Sequence, residues 1–142
     1  MMRIFTLPKR EKEEIIKELR EALIKKGEIL FAYLHDSFLE EGPFRDIDVG
    51  IYIRGTADRF YEMELEEELS RLVKFPVDVR ILNDAPVAFR FRAIGGKLLF
   101  SRDERARCRF EEITMAEYHD YSYHLELYRR EALGIPQEDP QS

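Results

Sequence analysis

The sequence predicts an α+β domain: a small mixed sheet with helices packed on it and a long helix at the C-terminal end. Three observations carry that prediction. Segments with apolar residues at helical spacing alternate with short, continuous apolar runs of strand length. Their order is helix, strand, loop, strand, helix, strand, which gives an α/β or α+β sheet covered by helices. The chain has 142 residues, 44% hydrophobic and 37% charged, enough for one core without disulfides or a structural metal. We read residues 1–136 as a single domain and residues 137–142 as a polar, disordered tail.

The first helix spans residues 8–26. Pro8 suits its first turn, Ile15, Ile16, Leu19, Ala22 and Leu23 recur at helical spacing, and Gly27 stops it. Residues 28–34, EILFAYL, form a short apolar run and hence a buried strand. Residues 35–45 are irregular and contain Gly42-Pro43. A second strand covers residues 46–53, DIDVGIYI. After the turn Arg54-Gly55-Thr56 a helix runs from Ala57 to Leu72, with Phe60, Met63, Leu65, Leu69 and Leu72 on its apolar face. Pro76 opens a third strand, residues 77–82. A helix to Ala93, a break at Gly95-Gly96 and a short strand at residues 97–101 follow. The terminal helix, residues 103–133, carries Phe110, Ile113, Tyr121, Leu125, Tyr128 and Ala132 at steps of three or four, and Gly134 and Pro136 end it.

Composition excludes several classes of function. The net charge is -6, and acids and bases are interleaved, as in Lys9-Arg-Glu-Lys-Glu-Glu14, a pattern of solvated helix faces. General nucleic-acid binding needs clustered Lys and Arg to neutralise phosphates, so none is expected. The single cysteine, Cys108, has no disulfide or zinc partner and is assigned to packing. No apolar run approaches the ~20 residues that span a bilayer. The first residues soon become charged and lack a leader pattern, so the expected location is the cytoplasm.

The chemistry-bearing residues are Asp46, Asp48 and Asp78. Residues i and i+2 of a strand share a face, so Asp46 and Asp48 would stand side by side with like charge, an arrangement that folding does not ask for. Mg²⁺ does ask for it, because it takes hard oxygen ligands and is often held by one or two carboxylates plus substrate phosphates. Asp78 lies between Val77 and Val79 in an apolar strand, where an unpaired charge is costly to bury. If strands two and three are neighbours, three carboxylates converge. That is ligand charge for two Mg²⁺ ions about 3.5 to 4 Å apart, which stabilise the attacking and leaving oxygens of a phosphoryl or nucleotidyl displacement. Asp46 and Asp48 would bridge the metals, and Asp78 would serve as general base. The bland alternative makes Asp46 a loop residue at a strand entrance and pairs Asp78 with Arg80 or with an arginine from another element.

Residues 33–51, YLHDSFLEEGPFRDIDVGI, resemble the signature of the minimal nucleotidyltransferases of the DNA polymerase beta-like superfamily. In that signature a strand runs into Gly-Ser, a short helix and loop follow, and the next strand opens with Asp-x-Asp. The preceding helix, the Asp78 strand, the segment LNDAP at 82–86, the strand GGKLLF at 95–100 and the tyrosine-rich last helix follow the MntA-like antitoxins over nearly the whole chain. The resemblance implies a palm-type fold and an adenylyltransferase that uses ATP and Mg²⁺ to modify a partner HEPN toxin, a helical protein. It assigns metal binding and catalysis to Asp46, Asp48 and Asp78, and nucleotide binding to Ser37 and its neighbour Asp36. Asp36 stands where the family has glycine. Only eight residues (38–45) separate Ser37 from Asp46, and Leu39-Glu40-Glu41 occupies the region of the family's arginine.

These departures keep a second reading open, a catalytically degenerate module that neutralises a partner by contact; a small-molecule phosphate enzyme is a third. His35 is read as a hydrogen-bonded structural residue in preference to a ligand. His119 and His124 are five residues apart on the last helix and point about 140° apart, so they form no metal pair. Tyr118, Tyr121, Tyr123 and Tyr128 offer more aromatic surface than one stripe buries, which suits either a protein interface or core packing; a homo-oligomer is equally compatible. Of the basic residues between Arg90 and Arg109, most are read as balancing neighbouring glutamates. Lys97 and Arg80 are the better candidates for phosphate contacts.

Overall fold

The computed structural model describes residues 3–134. Along the chain the elements are α1 (Lys9–Ile24), β1 (Ile29–Leu34), α2 (Asp36–Leu39), β2 (Ile47–Ile53), α3 (Arg59–Val73), β3 (Val77–Ile81), α4 (Val87–Ile94), β4 (Lys97–Ser101) and α5 (Glu104–Ala132). The expected tail, residues 137–142, and the domain end at 136 lie outside the described residues.

The four strands form one mixed sheet in the order β3-β2-β1-β4. β1 runs antiparallel to both β2 and β4, while β2 and β3 are parallel, joined through α3. All six residues of β1 are buried, because the strand is central and covered on both faces. Ala32 and Leu34 pack with Leu19 and Leu23 of α1, Leu69 of α3, and Val49 and Ile51 of β2. Phe31 and Tyr33 point the other way and pack with Leu82, Ala93 of α4 and Phe110 of α5.

Local chemistry sets the element ends. The Asp58 carboxylate accepts from the amides of Phe60 (3.1 Å) and Tyr61 (3.3 Å), starting α3. Lys74 takes the left-handed conformation, φ 67°, and turns α3 into β3. Asp103 accepts from Ala106 N at 3.0 Å to begin α5. At Gly96 an added Cβ would lie 2.2 Å from the Leu34 carbonyl oxygen, so the turn between α4 and β4 passes β1 where only glycine fits.

β3 is an edge strand, and its outward amides are met by side chains of one helix. Val77 N donates to Ser70 Oγ (2.9 Å), Val79 N to Glu66 Oε1 (3.0 Å) and Ile81 N to Glu62 Oε2 (2.7 Å). The acceptors sit four residues apart on α3, so they form one stripe along the helix. Arg59 Nη1 bridges two of them, at 3.1 Å from Glu62 and 3.2 Å from Glu66.

Several sequence expectations are corrected. β2 begins at Ile47, so Asp46 precedes the strand. The buried stripe of α3 is Leu65, Leu69 and Val73, while Phe60, Met63 and Leu72 are exposed, because the adjoining polar stripe turns toward the edge of β3. Lys12 is not on a solvated face: it is 6% exposed, its Nζ donates to the carbonyls of Glu40 (2.7 Å) and Gly42 (3.4 Å), and it lies against the Phe38 and Phe44 rings. Cys108 is exposed and not a packing residue. On α5 only Phe110 and Thr114 are buried, and Ile113, Tyr121, Leu125 and Tyr128 are exposed. Among the described residues no helix is long and apolar enough to cross a membrane.

Candidate active site

The parallel pairing of β2 with β3 sets Asp48 directly opposite Asp78. Neighbouring strands are about 4.8 Å apart, so two carboxylates of like charge share one stretch of sheet, both half-buried. Burial raises the Asp48 carboxyl above the usual carboxylate range, and the charge of Asp46 adds to it; His35, Arg80 and Arg92 pull the other way. Asp78 is raised first by burial, then by a hydrogen bond to and the charge of Glu66, then by Asp48, with Arg80 opposing. Both groups hold protons more firmly than free carboxylates do.

A cleft of about 140 Å³ opens over this pair, between the ends of β1, β2 and β3 and the helix α4. Its walls carry Tyr33, His35, Asp48, Gly50, Asp78, Arg80, Phe89 and Arg92. Gly50 has Leu82 carbons 3.0 to 3.2 Å from where a Cβ would stand, so the floor beside the carboxylates is close-packed. The guanidinium carbons of Arg80 and Arg92 lie 5.6 and 5.9 Å from the centre of the Phe89 ring, positions that suit cation–π contact.

The other anticipated residues occupy the rim or stand apart. His35 donates its amide to the Asp48 carbonyl (2.9 Å), tying the end of β1 to the start of β2. Its ring caps α2: the Ser37 amide donates to Nδ1 at 3.2 Å, and Ser37 Oγ lies 3.1 Å from the same atom. Asp36 Oδ1 is also 3.1 Å from His35 Nδ1, so this carboxylate turns toward the histidine. Ser37 and Asp36 are exposed and do not line the cleft. Asp46 is close enough to act on Asp48 electrostatically, but it is exposed and borders a different groove, with Ser70, Lys74 and Phe75. Lys97 lies in a third groove beside Lys9 and Lys12, away from the carboxylates.

The chemistry of the donors fits a hard divalent cation, with the limit that, among the described residues, no three His, Cys, Asp or Glu side chains form a ready-made metal cage. Asp48 and Asp78 match the mode in which protein carboxylates hold Mg²⁺ together with substrate phosphates. Glu66 and Phe89 are site residues that sequence reasoning passed over, and Arg92 was read only as one of the basic residues between Arg90 and Arg109, most of them assigned to balancing glutamates. The only signal for Glu66 was the polar spacing Glu62, Glu66, Ser70 along α3; for Arg92 it was membership of the most basic stretch of the chain; for Phe89 there was none, since its placement depends on how α4 lies on the sheet.

The family model described as polymerase beta nucleotidyltransferase matches residues 17–105, well over half of the chain and all of this site. The chain belongs to this family. The polymerase beta nucleotidyltransferase domain thus accounts for the sheet, the Asp48–Asp78 pair and α4, and leaves most of α5 beyond the matched residues. No curated protein matches the chain.

Solved structures share the fold of this domain. A chain of the toxin-antitoxin MntA-HepT superposes with TM-score 0.61 at 21% identity, covering 89% of this chain and 97% of that one. A chain from the complex of a tri-AMPylated Shewanella oneidensis HEPN toxin with its MNT antitoxin gives TM-score 0.61 at 22% identity, covering 88% and 94%. A toxin-antitoxin structure with AMP-PNP gives 0.62 at 22%, covering 87% and 95%.

Proposed function

We propose that this chain transfers AMP from ATP to a hydroxyl of a helical HEPN-type partner protein and so acts as a cytoplasmic antitoxin. The observation that carries the reading is the pairing of Asp48 with Asp78 at the mouth of a cleft, on a nucleotidyltransferase domain. The toxin-antitoxin complexes that share the fold, one with an AMPylated toxin and one with AMP-PNP, support the direction of the reaction. The exposed Tyr121, Tyr123 and Tyr128 of α5 support a protein partner.

In this reading Asp48 and Asp78, with Asp46 at the entrance to β2, would hold Mg²⁺, which would supply charge that stabilises the attacking and leaving oxygens. Asp78, its proton affinity raised by burial and by Glu66, accepts the proton of the acceptor hydroxyl. The hydroxyl oxygen bonds to the α-phosphorus, the bond from that phosphorus to the bridging oxygen breaks, and pyrophosphate leaves. Ser37 on α2, which does not line the cleft, would meet the phosphate chain outside it. The cleft is smaller than the roughly 300–1,000 Å³ of whole-ligand pockets, so only the reacting phosphate and hydroxyl enter it and the nucleoside lies on the open surface.

A second reading, the binding module without catalysis, is favoured by one observation: Asp36 adds negative charge on the α2 turn where phosphates would pass. ATP labelled separately at the α and γ phosphates, incubated with Mg²⁺, the protein or its Asp48→Asn variant, and extract of the source cells, separates the two. Transfer of α label alone to a protein, by the wild type only, supports transfer. Equal labelling by the variant sinks it, and no labelling although a partner co-purifies selects the binding module.

A further inference from the structure

We propose that Arg80 and Arg92, gathered around the Phe89 ring, form an anion site that takes a phosphate group at the mouth of the Asp48–Asp78 cleft. The inference rests on the nucleotidyl-transfer reading and deepens it by naming where the chain supplies positive charge to its substrate.

A phosphate that approaches two carboxylates needs a counter-charge, and the α2 turn offers none: Asp36, Glu40 and Glu41 are all acids. On the opposite wall stand two guanidiniums. Arg80 follows Asp78 by two residues on β3 and so shares its face of the strand. Arg92 comes from α4, where its neighbour Ala93 is buried and anchors the helix against the sheet. Both act on Asp48 through their charge, and both line the cleft with it.

Their lack of other commitments sets these two apart from the arginines tied down elsewhere. Arg59, Arg71, Arg90 and Arg107 form ion pairs with glutamates, and Arg102 donates to the carbonyls of Ile24, Lys26 and Ile29. Among the described residues neither Arg80 nor Arg92 forms an ion pair, and each rests on the Phe89 ring. A guanidinium laid against a ring keeps its N–H donors at the edge free for an oxyanion, and the ring limits its rotamers before any ligand arrives. Two such forks from different elements match the oxygens of a phosphate.

The phosphate has two possible sources, the chain of the nucleotide donor or a phosphate borne by the acceptor. Calorimetric titration of the full-length protein with inorganic tripolyphosphate in Mg²⁺ tests the site itself, with adenosine as the uncharged control. Arg80→Gln and Arg92→Gln should each weaken tripolyphosphate binding about tenfold or more, with adenosine unaffected. Arg54→Gln, which removes one positive charge outside the cleft, should change little. Both arginines are exposed, so the variants should keep the wild-type circular dichroism. Tripolyphosphate binding that is absent in the wild type, or weakened no more by the cleft variants than by Arg54→Gln, overturns the site.

Repeating the titration with inorganic pyrophosphate on protein saturated with a non-hydrolysable ATP analogue distinguishes the sources. Loss of arginine-dependent binding assigns the site to the donor, and its persistence assigns it to the acceptor. These are binding measurements, so arginine-dependent binding in a protein that transfers no label would leave the site standing and remove only the catalytic reading.

Discussion

Replacing Asp48 by asparagine should stabilise the protein at neutral pH while abolishing AMP transfer. Asp48 faces Asp78 across a parallel ladder and feels Asp46 as well. A pair of unit charges about 5 to 6 Å apart repels by roughly 1 kcal/mol in water and by up to about 3 kcal/mol at an effective dielectric of 20. The side chains are half-exposed, and Arg80, Arg92 and His35 offset part of the repulsion. The net gain on removing one charge is therefore about 1 kcal/mol, after allowance for solvent screening. For a domain of this size that raises Tm by about 3 to 5 °C.

The pH dependence has a definite sign. Both carboxyls bind protons more tightly when folded, so the penalty is absent below the ordinary carboxylate range, where both states are protonated. It grows as pH rises through the raised folded-state values, and stability falls. Thermal unfolding of wild type and Asp48→Asn from about pH 4 to about pH 8, without divalent metal, should give curves that meet at the acid end and diverge toward neutrality, the variant above. A variant that is less stable than wild type at neutral pH by about 1 kcal/mol or more refutes the reasoning, because the carboxylate would then be a structural partner and not a strained functional one.

Other consequences are independent of the chemistry. Lys12→Met should lower the urea midpoint by the equivalent of about 1 to 3 kcal/mol with an unchanged slope, since the carbonyls of Glu40 and Gly42 lose a charged donor; an unchanged midpoint would mean that water replaces the ammonium. Gly96→Ala should cost more than about 2 kcal/mol or prevent soluble expression, because the methyl would meet the Leu34 carbonyl at 2.2 Å; wild-type thermal stability would show that the turn yields freely. Ser70→Ala should cost about 1 kcal/mol in the same urea assay by stranding the Val77 amide, and no loss would show that solvent serves that amide equally well.

The sheet and its longer helices were legible in the sequence because each depends on local spacing: EILFAYL announces a buried strand, and Pro8 and Gly27 bracket the first helix, whereas α2 lies in a segment read as irregular. The opposition of Asp48 and Asp78 was also within reach, since it needs only that two strands carrying the residues pair. What the sequence hid depends on how elements lie against one another. Phe60, Met63 and Leu72 have helical spacing but lie off the arc that meets the sheet, and nothing local reveals the phase of α3. Lys12 reads as solvent-facing until the loop at 40–42 folds over it. Asp46 keeps the spacing of a strand partner, yet the chain enters β2 one residue later, leaving it on the surface. Glu66, Phe89 and Arg92 join the site only through the docking of α3 and α4.

The stripe Glu62, Glu66, Ser70 closes one whole side of the sheet to other chains. An extended peptide bonds to a sheet by answering the free amides of an edge strand, and on β3 those amides already belong to α3. The reactive pair sits on β2 and β3, next to that sealed border. In the proposed reaction a protein acceptor would therefore reach Asp78 from above the sheet, presenting a side chain into the cleft, and not by lengthening the sheet with its own backbone. Under that proposal the acceptor would be selected by the shape around one hydroxyl and would need no extended segment, so a residue on a folded, helical surface could serve.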